Sequence, residues 1–118
     1  MESKLDPKVL NSIRDLTEEG EPDFLTQLVK SFYERYEECY PKMLASAQAG
    51  DLGALEEVTH KFKGSAANIS AIGVANLCQK LEGDARDKVE TDFVSKVEEI
   101  KELYEFTKAE LDKDWIRE

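Results

Sequence analysis

Apolar residues recur at three- and four-residue intervals along most of this 118-residue chain. This spacing places them on one side of an α-helix, whereas a half-buried β-strand would require strict alternation of apolar and polar residues. Four long segments of this kind are separated by short breaks at Gly50-Asp51, at residues 70–73 and at residues 87–90. The pattern predicts an all-α fold, an antiparallel up-down four-helix bundle.

An extra short helix is predicted before the bundle, because Asp6 is a good N-cap and Pro7 is favoured in the first turn of a helix. The predicted boundaries, in chain order, are a first helix from Asp6 to about Thr17, a second from Glu21 or Pro22 to Gly50, a third capped by Asp51 and ending near Ile69 or Ser70, a fourth across residues 74–85, and a last helix capped by Thr91. The charged tail around Trp115 is expected to fold back on the bundle.

The length fits one domain, residues 1–118, and is sufficient for a core without metals or disulfides. The net charge of −10 would repel nucleic acid, and the longest apolar runs are too short to span a membrane. Cys39 and Cys78 with one histidine do not match the spacing of a zinc site, so we expect buried free thiols and no metal. The N-terminal residues lack the apolar core of a secretory signal. These features predict a cytoplasmic monomer.

The third helix carries the only histidine, His60. At about 100° per residue, His60 points roughly 140° away from the apolar stripe formed by Leu52, Leu55, Val58, Phe62, Ala66 and Ile69. Gly64 lies one turn further along the same face, and Gly53, Ala67 and Ala71 are expected on it as well. The sequence therefore predicts an exposed imidazole on a surface of small side chains.

Gly64 is unexpected inside a helix, where glycine costs roughly 0.5–1 kcal/mol relative to alanine. Such a residue is better explained by a partner that must approach the helix closely. Histidine can act as a nucleophile near pH 7, and Lys63 lies where its ammonium could offset the charge of a phosphoryl group. Glu56 and Glu57, one turn before His60, could orient the imidazole or be ordinary surface charges.

The residues His60-Lys61-Phe62-Lys63-Gly64-Ser65-Ala66-Ala67-Asn68-Ile69, followed by Leu77-Cys78 and Leu81-Glu82, resemble the signature of the histidine-containing phosphotransfer (HPt) domain family. The resemblance implies a four-helix bundle that accepts a phosphoryl group on His60 from a receiver-domain aspartate and passes it to another receiver. It implies that Lys63 stabilises the phosphoryl group. One position departs from the pattern, because Ser70 stands before Ala71 where the family usually has glycine.

The resemblance also implies a docking surface for the receiver. Gly64 leaves room for the partner, with Ser65, Ala67 and Asn68 beside it; Ser65 and Asn68 could equally be plain helix-surface residues. The implied partners are response-regulator receiver domains, with a hybrid sensor kinase as an open alternative. No cofactor is implied.

The sequence contains no ATP-binding loop, so we expect a phosphocarrier without kinase activity and not an enzyme. Two other functions remain open. One is a helical interaction module that is never phosphorylated, although such a module would not need the intact His60-Lys63-Gly64 set. The other is a hydrolase with His60 as general base, although an outward-facing lone histidine lacks the pocket and nucleophile that such a site requires.

Overall fold

The computed structural model describes residues 1–118, which form five α-helices and no strand. The helices are α1 (Pro7–Arg14), α2 (Phe24–Ala49), α3 (Leu52–Asn68), α4 (Ile72–Arg86) and α5 (Phe93–Asp114). Consecutive helices from α2 to α5 pack against each other, α5 closes the ring against α2, and α1 packs on α2. The structure confirms the predicted all-α bundle with an extra short N-terminal helix.

Aspartates cap four of the five helices at their N-termini. Asp6 caps α1 and Asp51 caps α3, as predicted, while Asp23 and Asp92 cap α2 and α5. The predicted start of α2 at Glu21 or Pro22 and the predicted cap at Thr91 are therefore wrong. In each case the aspartate that follows accepts a hydrogen bond from a backbone N–H of the first turn, which a helix end needs.

The first helix is shorter than predicted, because α1 ends at Arg14 and not near Thr17. Beyond it, the N–H groups of Leu16 and Thr17 donate to carbonyls only three residues back, at Ile13 and Arg14. The chain therefore tightens into turns after Arg14. The apolar residue Leu16, which lies beyond the end of α1, is largely exposed.

One apolar core runs through the bundle and includes residues of all five helices. Its centre is aromatic: the Phe62 ring of α3 stacks on Phe32 of α2 with centroids 5.5 Å apart, and Tyr36 of α2 stacks on Tyr104 of α5. Cys39 and Cys78 are buried and unpaired, as predicted. The core side of the helix that carries His60 is therefore packed against large aromatic rings.

The corner between α3 and α4 shows how Ser70 is accommodated at the position where the family usually has glycine. Ser70 is buried and has a φ of 56°, a left-handed conformation that glycine adopts more easily. Its hydroxyl oxygen accepts a hydrogen bond from the Asp6 N–H at 3.0 Å. Ala71, expected on the exposed face of the histidine helix, is instead fully buried, because α3 ends at Asn68 and the chain turns inward.

The first residues of the chain lie against the start of α4. The Gly73 N–H donates to the Ser3 carbonyl at 3.0 Å, and a Cβ at Gly73 would lie 2.7 Å from the Glu2 carbonyl oxygen. Gly73 is therefore part of α4, not of the break predicted at residues 70–73, and its missing side chain admits the N-terminal backbone.

The C-terminal tail contacts α1 and the start of α2 through a terminal cluster of Arg14, Asp23, Thr26 and Trp115. The Arg14 guanidinium donates to both Asp23 carboxylate oxygens, at 3.0 and 3.1 Å, and also donates to the Trp115 carbonyl. These contacts hold the tail against α1 and α2, as expected. None of the five helices combines the length and apolar character needed to cross a membrane.

Candidate functional site around His60

His60 lies in the middle of α3, and its side chain is 68% exposed. The opposite side of the helix is fixed in the core by Leu55, Phe62 and Ala66, which are fully buried. Thr59, next to the histidine, is also buried and was absent from the predicted stripe, whereas Val58 is only half-buried. The exposed position predicted for the imidazole agrees with the structure.

The surface beyond His60 is free of large side chains. Gly64 is exposed, and a Cβ built on it would have no neighbouring heavy atom within 4 Å. Ala67 and Asn68, in the next turn, are exposed, while Ser65 is half-buried. No contact within the protein explains glycine at position 64, so its small size is available to a partner.

A carboxylate from the neighbouring helix holds the imidazole. Glu82 of α4 lies 2.5 Å from His60, measured between Oε2 and Nδ1. Its other oxygen, Oε1, accepts a hydrogen bond from the Lys63 ammonium at 2.6 Å. Glu82 therefore bridges both residues of α3, and we call His60, Lys63 and Glu82 the histidine triad.

Glu82 is the residue of the candidate site whose contacts the sequence did not reveal. Its side chain is only 12% exposed. Glu56 and Glu57, the carboxylates considered from helical spacing, make no hydrogen bond to His60. Glu82 was part of the motif Leu81-Glu82, but its role depends on the packing of α4 on α3, which spacing within one helix cannot supply.

The charges of the triad keep Glu82 ionised. Burial acts to raise the pKa of Glu82, but the hydrogen bonds from Lys63 and His60 outweigh it and hold the pKa below its ordinary value. A carboxylate accepts hydrogen bonds and cannot donate them, so the His60 atom that faces it carries the proton. The triad thus selects the tautomer with hydrogen on Nδ1.

This tautomer leaves Nε2 unprotonated and without a hydrogen-bond partner in the protein. An exposed nitrogen lone pair on a fixed imidazole can attack an electrophile brought by another molecule. Lys63, predicted as a phosphoryl-stabilising cation, lies one turn away, and its side chain is 26% exposed, with the ammonium on Glu82. Its charge is thus held beside the imidazole instead of moving freely in solvent.

No group of three or more His, Cys, Asp and Glu side chains is arranged to hold a metal ion. None of the five best-formed surface grooves is lined by His60. The site is therefore an exposed imidazole on a helix surface, in contrast to the concave pocket in which small substrates are bound.

Comparisons with known proteins bear on the family and the fold of the chain. The family pattern described as the Hpt domain matches residues 27–110. A curated relative, the phosphorelay intermediate protein RdeA of Dictyostelium discoideum, is 29% identical over 101 residues, covering 82% of this chain and 39% of that protein. The chain thus spans well under half the length of that relative.

Among solved structures, the fold matches the crystal structure of histidine-containing phosphotransfer protein B (HptB) from Pseudomonas aeruginosa PAO1. The TM-score is 0.84 at 27% sequence identity, and the match covers 97% of this chain and 96% of that chain. The bundle therefore resembles a phosphotransfer protein over nearly its whole length.

Proposed function

Because the chain belongs to the Hpt domain family, we propose that it is a phosphorelay intermediate in which His60 carries the phosphoryl group. The donor is a receiver domain phosphorylated on an aspartate, and the acceptor is a second receiver. The observation that carries this proposal is the exposed imidazole held through Nδ1 by Glu82.

The transfer forms one bond and breaks one bond. The lone pair of His60 Nε2 attacks the phosphorus of the aspartyl phosphate, the bond between phosphorus and the carboxylate oxygen breaks, and the donor aspartate leaves as a carboxylate. The proton stays on Nδ1, where Glu82 stabilises the positive charge that the ring acquires. The reverse sequence delivers the phosphoryl group to the second receiver.

Lys63 supports this step by its charge. Its ammonium is held by Glu82 within one turn of His60, so that a phosphoryl group on Nε2 would find a cation nearby. Gly64, Ser65, Ala67 and Asn68 form the surface on which the receiver docks, since a transferable phosphoryl group has to come within bonding distance of Nε2.

The protein acts as a phosphocarrier and has no kinase activity of its own. Response-regulator receiver domains are its partners, and a hybrid sensor kinase is a further source of phosphorylated receiver. We place it in the cytoplasm as a monomer, with residues 1–118 forming a single domain. Neither a metal nor a cofactor of its own is required, because the nucleophile and its supporting charges all belong to the chain.

The test is His60→Gln, since His60 is the only imidazole in the chain. Incubation with a panel of phosphorylated receiver domains should label the parent protein and should not label the variant. The label should be stable in base and lost in acid, as expected for a phosphorus–nitrogen bond. A thermal melt should show that the variant is still folded, because the His60 side chain is largely exposed and Gln can still donate a hydrogen bond to Glu82.

Two outcomes would contradict the proposal: labelling retained in His60→Gln, or an acid-stable label on the parent. Failure of every receiver to label the parent, with receiver binding preserved, would instead favour the interaction module that is never phosphorylated. Hydrolysis of simple esters that depends on His60 would favour the general-base function.

A further inference from the structure

A groove of about 410 Å³ lies between α2 and α3 beside the site of His60. It is lined by Ala45, Ala54 and Val58, which are small and apolar, and by Lys42 and Lys61. Glu57, which lies one helical turn before His60, also lines the groove. The groove therefore lies near the histidine, away from the Gly64 surface that continues toward the C-terminal end of α3.

The two lysines give the groove a charge unlike that of the whole protein. The chain has a net charge of −10, yet neither Lys42 nor Lys61 forms an ion pair, in contrast to Lys30, Lys63 and Lys108. The only carboxylate that lines the groove is Glu57. Two free ammonium groups thus face one carboxylate at this part of the surface.

The charges of these lysines also act on the Cys39 thiol. Burial and the Glu38 carboxylate raise the pKa of Cys39, while Arg35, Lys61 and Lys42 act in the opposite direction. Three cations of α2 and α3 thus act on the same side chain as one carboxylate. Arg35 is paired with Glu38, so the two lysines remain the free charges there.

The groove suits a protein segment better than a small molecule. All of its lining residues are exposed or half-buried, and none is a buried polar side chain directed into it, as a small-ligand site would require. Small apolar side chains between two ammonium groups match an apolar residue flanked by carboxylates.

We infer that this groove receives an acidic segment of the receiver domain and determines which receivers exchange a phosphoryl group with His60. The inference rests on the proposed function, because it assumes that a receiver docks at His60. The groove contacts the partner beside the reacting atoms, so it changes the affinity of the encounter and leaves the chemistry to the histidine triad.

The experiment uses the receiver that labels the parent fastest in a panel of phosphorylated receiver domains. Lys42→Glu with Lys61→Glu should raise the receiver concentration that gives half-maximal transfer by about tenfold at low salt, with little change in the maximal rate. The effect should shrink at high salt, because ions screen exposed charges. The Kd of the unphosphorylated receiver should rise in parallel.

Matched controls separate the groove from net charge and bulk. Lys88→Glu with Lys113→Glu makes the same change in charge at exposed, unpaired lysines outside the groove, and should leave transfer within about twofold. Ala45→Trp fills the groove without a change in charge and should weaken receiver binding. Ala109→Trp, at an exposed position of α5, should leave receiver binding unchanged. Thermal melts verify that each variant is folded.

The inference is overturned if the parent is labelled but the lysine pair and Ala45→Trp both leave transfer and Kd unchanged; the proposed function then stands alone. It is also overturned if the control lysines have the same effect as the groove lysines. If no receiver labels the parent, the proposed function fails, and with it the role of the groove in transfer.

Discussion

The terminal cluster and the histidine triad each contain a carboxylate bound by two side chains, but the two carboxylates have different surroundings. In each, a largely buried carboxylate accepts hydrogen bonds from two side chains and has its pKa lowered by them: Asp23 by Arg14 and Thr26, and Glu82 by Lys63 and His60. Arg14 and Asp23 are both mostly shielded from solvent, whereas His60 is 68% exposed.

The difference lies in what each carboxylate leaves free. Around Asp23, both oxygens and the arginine are engaged in contacts that join α1, α2 and the C-terminal tail. Around Glu82, one ring nitrogen of His60 is engaged and the other is left open. A carboxylate therefore serves stability when its partners are enclosed, and serves reactivity when one partner also faces solvent.

The largest expected effect follows from removing the carboxylate of the triad. Glu82→Ala should slow receiver-to-His60 transfer by about 10- to 100-fold, because the imidazole loses both its fixed orientation and its tautomer. Glu82→Gln should recover part of the rate, since its carbonyl oxygen can still accept the Nδ1 hydrogen bond. Single-turnover labelling with one phosphorylated receiver measures both variants.

Glu98→Ala, on the exposed surface of α5, is the control and should transfer at the parent rate. An ¹⁵N spectrum of the ring gives a readout that a merely structural role would not move: the population with hydrogen on Nδ1 should fall in Glu82→Ala. Equal transfer rates for the Ala variant and the parent would remove Glu82 from the mechanism.

A substitution in the terminal cluster should lower the stability of the protein and leave the transfer rate unchanged. Asp23→Asn keeps the shape but removes the charge that Arg14 binds, and should lower the free energy of unfolding by about 2 kcal/mol at neutral pH. Chemical denaturation measures this loss, and Glu98→Gln serves as a control with the same change in charge. A stable Asn variant, or one that transfers more slowly while folded, would contradict the comparison.

The same comparison predicts a pH dependence. The pKa of Asp23 is lowered from 3.8 to about 2, chiefly by the Arg14 hydrogen bond. A lowered folded-state pKa stabilises the protein above the unfolded value, so this contribution should be complete above pH 3.8 and should be lost as the pH falls toward 2. The stability difference between the parent and Asp23→Asn should therefore shrink over that range in acid.

The smallest effect in stability is expected at Gly64, where stability and transfer should change in opposite directions. Gly64→Ala should raise the free energy of unfolding by less than about 1 kcal/mol, because the added Cβ meets no neighbour and alanine favours the helix. Transfer should fall from Gly to Ala to Gln, as the side chain obstructs the docked receiver. Thermal melts paired with transfer rates measure the three proteins.

Gly53→Ala is the matched control, because Gly53 lies in the same helix and its Cβ would be 3.9 Å from the nearest atom, the Asp51 Oδ1. This variant should transfer at the parent rate. A Gly64→Gln protein as fast as the parent would disprove the docking role, and one that unfolds would indicate a packing role for Gly64.

The features of α3 that could be predicted from sequence are local ones. The exposure of His60 and the open surface at Gly64 both follow from helical spacing, because residues three and four apart share a face. The same reasoning predicted Ala71 on that surface, and this prediction is wrong. The helix ends at Asn68, and the left-handed Ser70 directs the following residue inward.

Glu82 could not be found in this way, because it is 22 residues from His60 and belongs to another helix. Its contact depends on the rotation and register of α4 against α3, which are set by the packing of the whole core. Similarly, the Arg14–Asp23 pair depends on how α1 folds back on α2. Sequence spacing pointed to His60 as the proposed nucleophile, but tertiary packing supplied the carboxylate that binds its ring.

The single open nitrogen of His60 has a consequence for the kinetics of a relay. Since Glu82 occupies Nδ1, any partner must approach the same atom from the same side of α3. Under the proposed function, donor and acceptor would exclude each other, and the first would have to leave before the second could bind. The rate of phosphoryl transfer through the relay would depend on the lifetime of each complex. The receiver that binds most tightly would therefore also be the strongest inhibitor of transfer between the other receivers.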